Sequence, residues 1–451
     1  MEEEDEGEEE PFDLSSTGIG TDNYDSKKFV ELFLAQKQDP EKLIKMFRAL
    51  FLQEYDFQEE TINLFKPVIL SALKDSYVPG QKEAIRAVFL LAENKKLQHI
   101  EKDVVKALIQ KFMLSKDIAI STKTLKTIAK IIEADHKFRD LALSYQIDYK
   151  LFTYMNLKST IRPEILIKIS AVIKALCLFG DKTLPEESLT KIKWIIEYFL
   201  KESKDPEILK NVTWAYWFLT RPPMYQQYFL LEEIVKNQIE FLEFEDFELK
   251  LITLGVIESI IERGKPDQTQ MFLSNGFLSK FPKLLQDLEN DLLIQEALVI
   301  VGKLIKSSSA YVSGIHDVPE IAPNVVKNIF HDKFEIQDAA TLATCYIISS
   351  SNEAQILSLL ESSNVVQGLC HFVNLTENQD KYVLAVLEEL SKILKRAKKR
   401  VKEVYEILDE CDGINVLQRL QYRSNKSIME QSEEILKILE DAKENPMKSE
   451  L

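Results

Sequence analysis

At 451 residues, with 45% hydrophobic residues and only 12 Gly and 14 Pro, the chain has apolar surface for a large core and too few turn-makers for many short strands. The formal charge is −16, but eight carboxylates and no base lie in residues 1–10, MEEEDEGEEE, so the remainder is only mildly acidic. This balance argues against general nucleic-acid binding, which needs clustered Lys and Arg to displace phosphate counterions.

In chain order, residues 1–25 read as an acidic disordered tail, 26–440 as an α-solenoid and 441–451 as a C-terminal tail. Within the body, one helical pattern of small and aliphatic residues returns as KEAIRAVFLLA from Lys82, KTLKTIAKII from Lys123, ILIKISAVIKALCLF from Ile165 and LKNVTWAYWFLT from Leu209. It continues as LKLITLGVIESII, QEALVIVGKLI, QDAATLATCYII and VLAVLEELSKIL. One equivalent position in the first seven falls at Leu90, Lys130, Ala175, Phe218, Ser259, Lys303 and Cys345, at intervals of 40, 45, 43, 41, 44 and 42 residues. That period belongs to armadillo and HEAT repeats.

Between these helices lie DVVKALIQKFM, LTKIKWIIEYFL, LLEEIVKNQIEFL, LSKFPKLLQDL and VVQGLCHFV, each with apolar residues at i, i+3 and i+4, which read as second helices. SKDIA, KDPEI and RPEI read as capped or proline-initiated starts of first helices. Three helices per unit favour armadillo over HEAT. The expected fold is all-α, a right-handed α-solenoid of about eight to ten armadillo-type repeats. Such units bury their apolar faces only by stacking, and the third helices then line a concave groove, the default binding surface.

The residues in several of these segments resemble the importin-alpha family. KTLKTIAKIIEADHKFRDLALSY, with Phe138, Arg139, Asp140 and Leu141, resembles its second repeat. DQTQMFLSNGFLSKFPKLL, with Gln268, Thr269, Gln270, Asn275 and Gly276, resembles the link between its fifth and sixth. NVTWAYWFLT, with Trp214 and Ala215, resembles the fourth, and ILDECDGINVLQRLQYRSNKSIMEQSEEILKIL follows the last. The resemblance runs in register from about Lys82 to Leu439.

It implies an adaptor in nucleocytoplasmic protein transport that binds extended segments of cargo or partner proteins in its groove, present in cytoplasm and nucleus. In that family a Trp and an Asn four residues later recur along the groove, sandwiching Lys and Arg stems and bonding the peptide backbone. The equivalent pairs here are Lys126 and Lys130, Ala171 and Ala175, Trp214 and Phe218, Gly255 and Ser259, Val299 and Lys303, and Thr341 and Cys345. Ala134 stands where the family has the acid that receives the key lysine. The resemblance therefore implies a groove diverged from ordinary basic signals. The acidic start, with only Lys27, Lys28 and Lys45 nearby, argues against importin-beta docking, whereas Asp409 and Glu410 keep the acidic pair of the end that faces the export receptor. The alternative is an armadillo scaffold that assembles proteins outside nuclear import.

Other features have two readings. Trp214 is a groove aromatic or part of a packing set with Tyr216, Trp217 and Phe218, while Trp194 lies on an apolar stripe with Ile192 and Ile196 and reads as core. The run LKRAKKRVK from Leu394 is an exposed inter-helix segment, or else a phosphate-binding or localisation element or a mate for the acidic tail. Cys177, Cys345, Cys370 and Cys411 form no CxxC pair, and His136, His316 and His331 have no partner at metal-ligand spacing, so neither a disulfide framework nor zinc is indicated. With no GxSxG elbow or Gly-rich phosphate loop, no enzyme and no cofactor are expected. Nor does any apolar run approach the roughly 20 residues of a membrane span.

Overall fold

The computed structural model describes residues 39, 41–42, 44–45, 59–157, 161–179, 182–222, 224–225 and 232–444. The acidic segment 1–25, Lys27, Lys28 and positions 445–451 lie outside the described residues. The chain divides into two compact units, Met1–Pro222 and Pro223–Leu451. Among the described residues every regular element is a helix.

The first unit contains α1 (Glu59–Lys74), α2 (Val78–Glu93), α3 (Lys102–Leu114), α4 (Ile118–Ala134), α5 (His136–Ser144), α6 (Ile147–Leu157), α7 (Pro163–Cys177), α8 (Glu186–Glu202) and α9 (Pro206–Thr220). Third helices α2, α4, α7 and α9 pack side by side in that order. Their inward faces are mainly apolar, with Leu125, Ile128, Ile131 and Ile132 buried on α4 and Ile169, Val172, Ile173 and Leu176 on α7, beside small polar groups such as Thr124 and Ser170. Each such apolar side chain contributes about 1.5–3 kcal/mol when removed from water. No helix could bury its stripe alone, which is why a period near 42 residues specifies a stack.

The second unit contains α10 (Glu232–Phe241), α11 (Phe247–Arg263), α12 (Pro266–Ser274), α13 (Phe281–Leu284), α14 (Asp291–Ser307), α15 (Val312–Asp317), α16 (Ile321–Lys327), α17 (Phe334–Ser350), α18 (Glu353–Ser362), α19 (Val365–Thr376), α20 (Asp380–Arg396), α21 (Val401–Glu410), α22 (Gly413–Leu420) and α23 (Lys426–Glu444). Here α11, α14, α17, α20 and α23 are the successive packed third helices. The last runs past residue 440, so positions 441–444 are helical.

The two units thus hold four and five third helices among the described residues, within the expected eight to ten repeats, and the fold is an armadillo-type α-solenoid. First helices are shorter and less regular than the pattern predicts. Between α2 and α3 the first helix is reduced to a 3-10 turn at Leu97–His99, and the described residues between α7 and α8 contain no helix.

The capping motifs also open different helices from those expected. Asp117 accepts from Ile120 N at 3.1 Å and caps α4, Asp205 accepts from Glu207 and Ile208 N at 2.9 and 3.1 Å and caps α9, and Pro163 is the first residue of α7. All three are third helices, not first. The physical reason is the short extended link from second to third helix, which leaves no residues to satisfy the first N–H groups except a side chain or a proline.

Polar side chains close the links between repeats. Arg139, only 2% exposed, donates to the carbonyls of Phe179 and Lys182 at 3.0 and 3.1 Å and to Asp140 Oδ1 at 2.9 and 2.8 Å. In the second unit Arg396 donates to the carbonyls of Ile348 and Ser351 at 2.7 Å each, closing the C-terminus of α17. Gly276 turns the chain after α12 with φ +78, a left-handed conformation that suits glycine.

Candidate functional site

The third helices position the residues that the ladder comparison singles out. In the first unit, Lys126 on α4 is exposed, with its Nζ 5.0 Å from the centre of the Phe89 ring on α2. One turn on, Lys130 is half-buried and 3.9 Å from Glu93 of α2. Lys174 on α7 reaches back in the same way to Glu133 of α4, at 3.7 Å. Ala134 is exposed beside it. A lysine of one third helix therefore bonds a glutamate of the preceding one, as a rung between adjacent repeats.

The second unit repeats the device. Lys303 on α14 lies 2.7 Å from Glu258 and 3.4 Å from Glu262, both on α11. Burial alone would lower the Lys303 pKa, but the hydrogen bond to Glu258 and the charges of both glutamates outweigh it and raise it. Glu296 is half-buried on the same helix, and desolvation, with the Glu258 charge adding to it, raises its carboxyl above the usual range. On α20, Lys392 is 2.7 Å from Glu389 of the same helix and 2.6 Å from Ser349 of α17.

The remaining ladder positions divide by burial. Ala171, Trp214, Gly255 and Val299 are half-buried and keep one side open. Ala175, Phe218, Ser259, Thr341 and Cys345 are buried, so they pack between helices and present no side chain to a peptide. For Ala175, Phe218, Ser259 and Cys345, the second of each pair, the reason is the 3.6-residue turn: a position four residues on is rotated toward the neighbouring helix, and only a long side chain such as Lys303 regains the surface from there; Thr341, the first of its pair, is buried as well. Trp214 stands edge-on to Trp217 at 5.1 Å and stacks on Phe218 at 5.6 Å, with Arg221 over Trp217 at 5.2 Å. It is thus both half-open and part of a packed aromatic set. Trp194, read as core, is half-buried, between Phe152 at 5.0 Å and Tyr198 at 5.6 Å.

Asp409 and Glu410 are exposed in the last turn of α21. Much of the nearby basic run has structural partners: Lys395 bonds Glu434 at 2.7 Å, Arg400 bonds Glu403 at 2.6 Å and Glu361 at 3.1 Å, and Arg396 serves α17 as described. His316 shares a hydrogen bond with Ser351 Oγ at 2.8 Å, and His331 lies 3.4 Å from Asp291. Among the described residues no group of three or more His, Cys, Asp or Glu could hold a metal ion, and no helix is long and apolar enough to cross a membrane.

What the sequence reading missed is the glutamate half of each rung. Glu93, Glu133, Glu258 and Glu262 each precede their lysine by about one repeat, so a search for opposite charges separated by the repeat period would have found them.

No family model matches the chain, and no curated protein matches it. A crystal structure described as that of an engineered protein is similar in fold, with a TM-score of 0.68 at 16% identity over 92% of this chain and 98% of that one. A designed armadillo repeat protein aligns at 16% identity and a TM-score of 0.45, over 54% of this chain and 99% of that one. A second engineered protein aligns at 12% identity and a TM-score of 0.46, over 54% and 98%.

Proposed function

We propose that this chain is a protein-binding adaptor of nucleocytoplasmic transport, similar in mode to importin-alpha, that captures extended segments of partner proteins along its third helices. It acts by binding and not by catalysis, in cytoplasm and nucleus. The observation that supports this reading is the side-by-side packing of third helices within each unit, with an exposed or half-open ladder position at Lys126, Ala171 and Trp214 in the first unit and at Gly255 and Val299 in the second. An extended peptide has a matching repeat of side chains and a backbone free to bond.

Its preferred segments are not the ordinary basic signals. Lys126 and Lys130 occupy the positions equivalent to the Trp and Asn of the ladder, and a signal lysine brought within about 4 Å of one of them would be repelled by roughly 1–4 kcal/mol depending on the local dielectric. The polar rungs and the aromatic set around Trp214 suit segments of mixed charge with apolar side chains. Asp409 and Glu410 are the residues we assign to the export receptor, and importin-beta is not a partner on this reading.

The test is a pull-down of the purified chain with the export receptor and with importin-beta, beside anisotropy titrations of a basic localisation peptide. Capture of the export receptor, lost on Asp409→Lys with Glu410→Lys, supports the transport reading. Capture of neither receptor sinks it and leaves a scaffold that works outside transport.

A further inference from the structure

The turn between α21 and α22 brings two thiols together. Cys370, on α19, is buried, and its Sγ lies 3.3 Å from the carbonyl oxygen of Cys411. Cys411 directly follows α21 and is half-buried, its Sγ 3.7 Å from the Leu408 carbonyl oxygen. Asp412 takes φ +64 and Gly413 opens α22. A Cβ at Gly413 would stand 3.0 Å from Cys370 Sγ and 2.8 Å from Leu408, so only glycine lets the backbone wrap this closely around the buried sulfur.

The pair is electronically unequal. The neighbouring Cys370 thiol, together with the Gly413 N–H, brings the Cys411 thiol down to about 7 against its burial and the opposing charge of Asp412. The Cys411 side chain and then burial push Cys370 up. Cys177 and Cys345 are buried and raised by desolvation. A part-exposed thiolate beside a second thiol is the arrangement that reacts with hydroperoxides and then resolves.

We propose that Cys411 is a site of reversible oxidation by hydrogen peroxide, with Cys370 as its resolving thiol, giving an intrachain disulfide that ties α19 to the α21–α22 turn. In the first step the Cys411 thiolate attacks one peroxide oxygen. An S–O bond forms, the O–O bond breaks, and the leaving hydroxide takes a proton to become water. In the second step the Cys370 sulfur attacks Cys411 sulfenic sulfur, an S–S bond replaces the S–O bond, and the Cys370 proton leaves with the hydroxide as water. Two thiols lose two electrons in total, and one peroxide becomes two waters. The cross-link joins neighbouring repeats across 41 residues of chain, so it restrains their separation in the oxidised protein.

The experiment is to treat the reduced full chain with stoichiometric hydrogen peroxide, then measure intact mass and a non-reducing peptide map. The expected result is a loss of two hydrogen atoms, a linked Cys370–Cys411 peptide, free thiols at Cys177 and Cys345, and full reversal by dithiothreitol. In Cys370→Ser, Cys411 stops at the sulfenic acid and is trapped by dimedone. The wild-type map needs no variant, so a folding defect in Cys370→Ser leaves the test intact. Oxidation of Cys177 or Cys345 first, direct passage of wild-type Cys411 to sulfinic acid, or the absence of the linked peptide overturns the proposal.

Discussion

Lys303 Nζ lies 2.7 Å from Glu258 Oε1, an ion pair between neighbouring third helices at a position where the importin-alpha resemblance would place an asparagine. An asparagine there offers its amide to a peptide, whereas this lysine is already bonded to Glu258 and Glu262 of the repeat before. The same substitution of a rung for an open amide occurs at Lys130 and Glu93. These pairs are partly exposed, so each contributes about 0–1 kcal/mol to stability. Their larger effect is on what the face can bind.

The first prediction concerns that face. Replacing Lys126→Trp, Lys130→Asn and Ala134→Asp together removes two like charges and supplies an indole, an amide and a carboxylate on α4. Affinity for a basic localisation peptide is expected to rise at least about tenfold, equivalent to ~1.4 kcal/mol. Anisotropy at two salt concentrations measures it, and unchanged affinity would show that charge on α4 is not what excludes such peptides.

The second concerns pH. Desolvation, reinforced by the Glu258 charge, raises the Glu296 carboxyl in the folded state, so the native protein binds a proton that the unfolded chain has lost. This group destabilises above its unfolded pKa, and the penalty disappears as pH falls below the ordinary carboxylate range. Glu296→Gln is expected to raise the melting temperature at pH 7 and to leave it unchanged near pH 4. A loss of stability at pH 7 in thermal melts would contradict the assignment.

The buried guanidinium of Arg139 ties α5 to the segment after α7. Arg139→Ala leaves the Phe179 and Lys182 carbonyls without this donor and opens a cavity, a loss expected at about 3–5 kcal/mol. Arg139→Lys recovers less than half, because an ammonium cannot span both carbonyls and Asp140 as a planar fork does. Urea unfolding of the two variants separates the outcomes.

Gly276 isolates a backbone effect. With φ +78 and open space within 4 Å of an added Cβ, Gly276→Ala meets no clash, and a destabilisation of about 1 kcal/mol should come from the left-handed conformation alone. A change above about 3 kcal/mol in urea unfolding would mean that the turn itself rearranges.

The periodic core was legible because burial leaves its mark on every helix. Leu125, Ile128 and Ile132, or Ile169, Val172 and Leu176, recur at helical spacing, and their return after about 42 residues follows from stacking alone. Capping chemistry was legible as chemistry but not as place. Asp117 and Asp205 cap helices, yet which helix depends on the length of the link before them.

The sequence by itself determined an all-α repeat protein with third helices at Lys82, Lys123, Ile165 and onward, and that no Asn occupies the positions equivalent to the importin-alpha ladder. Only the tertiary structure decided that Lys130, Lys174 and Lys303 bond the preceding repeat, that Ala175 and Phe218 are buried, and that Cys370 meets Cys411. The physical reason is distance along the chain. Helical periodicity is set by residues three and four apart, whereas each of these contacts joins residues about one repeat apart, and their register depends on how closely two helices pack.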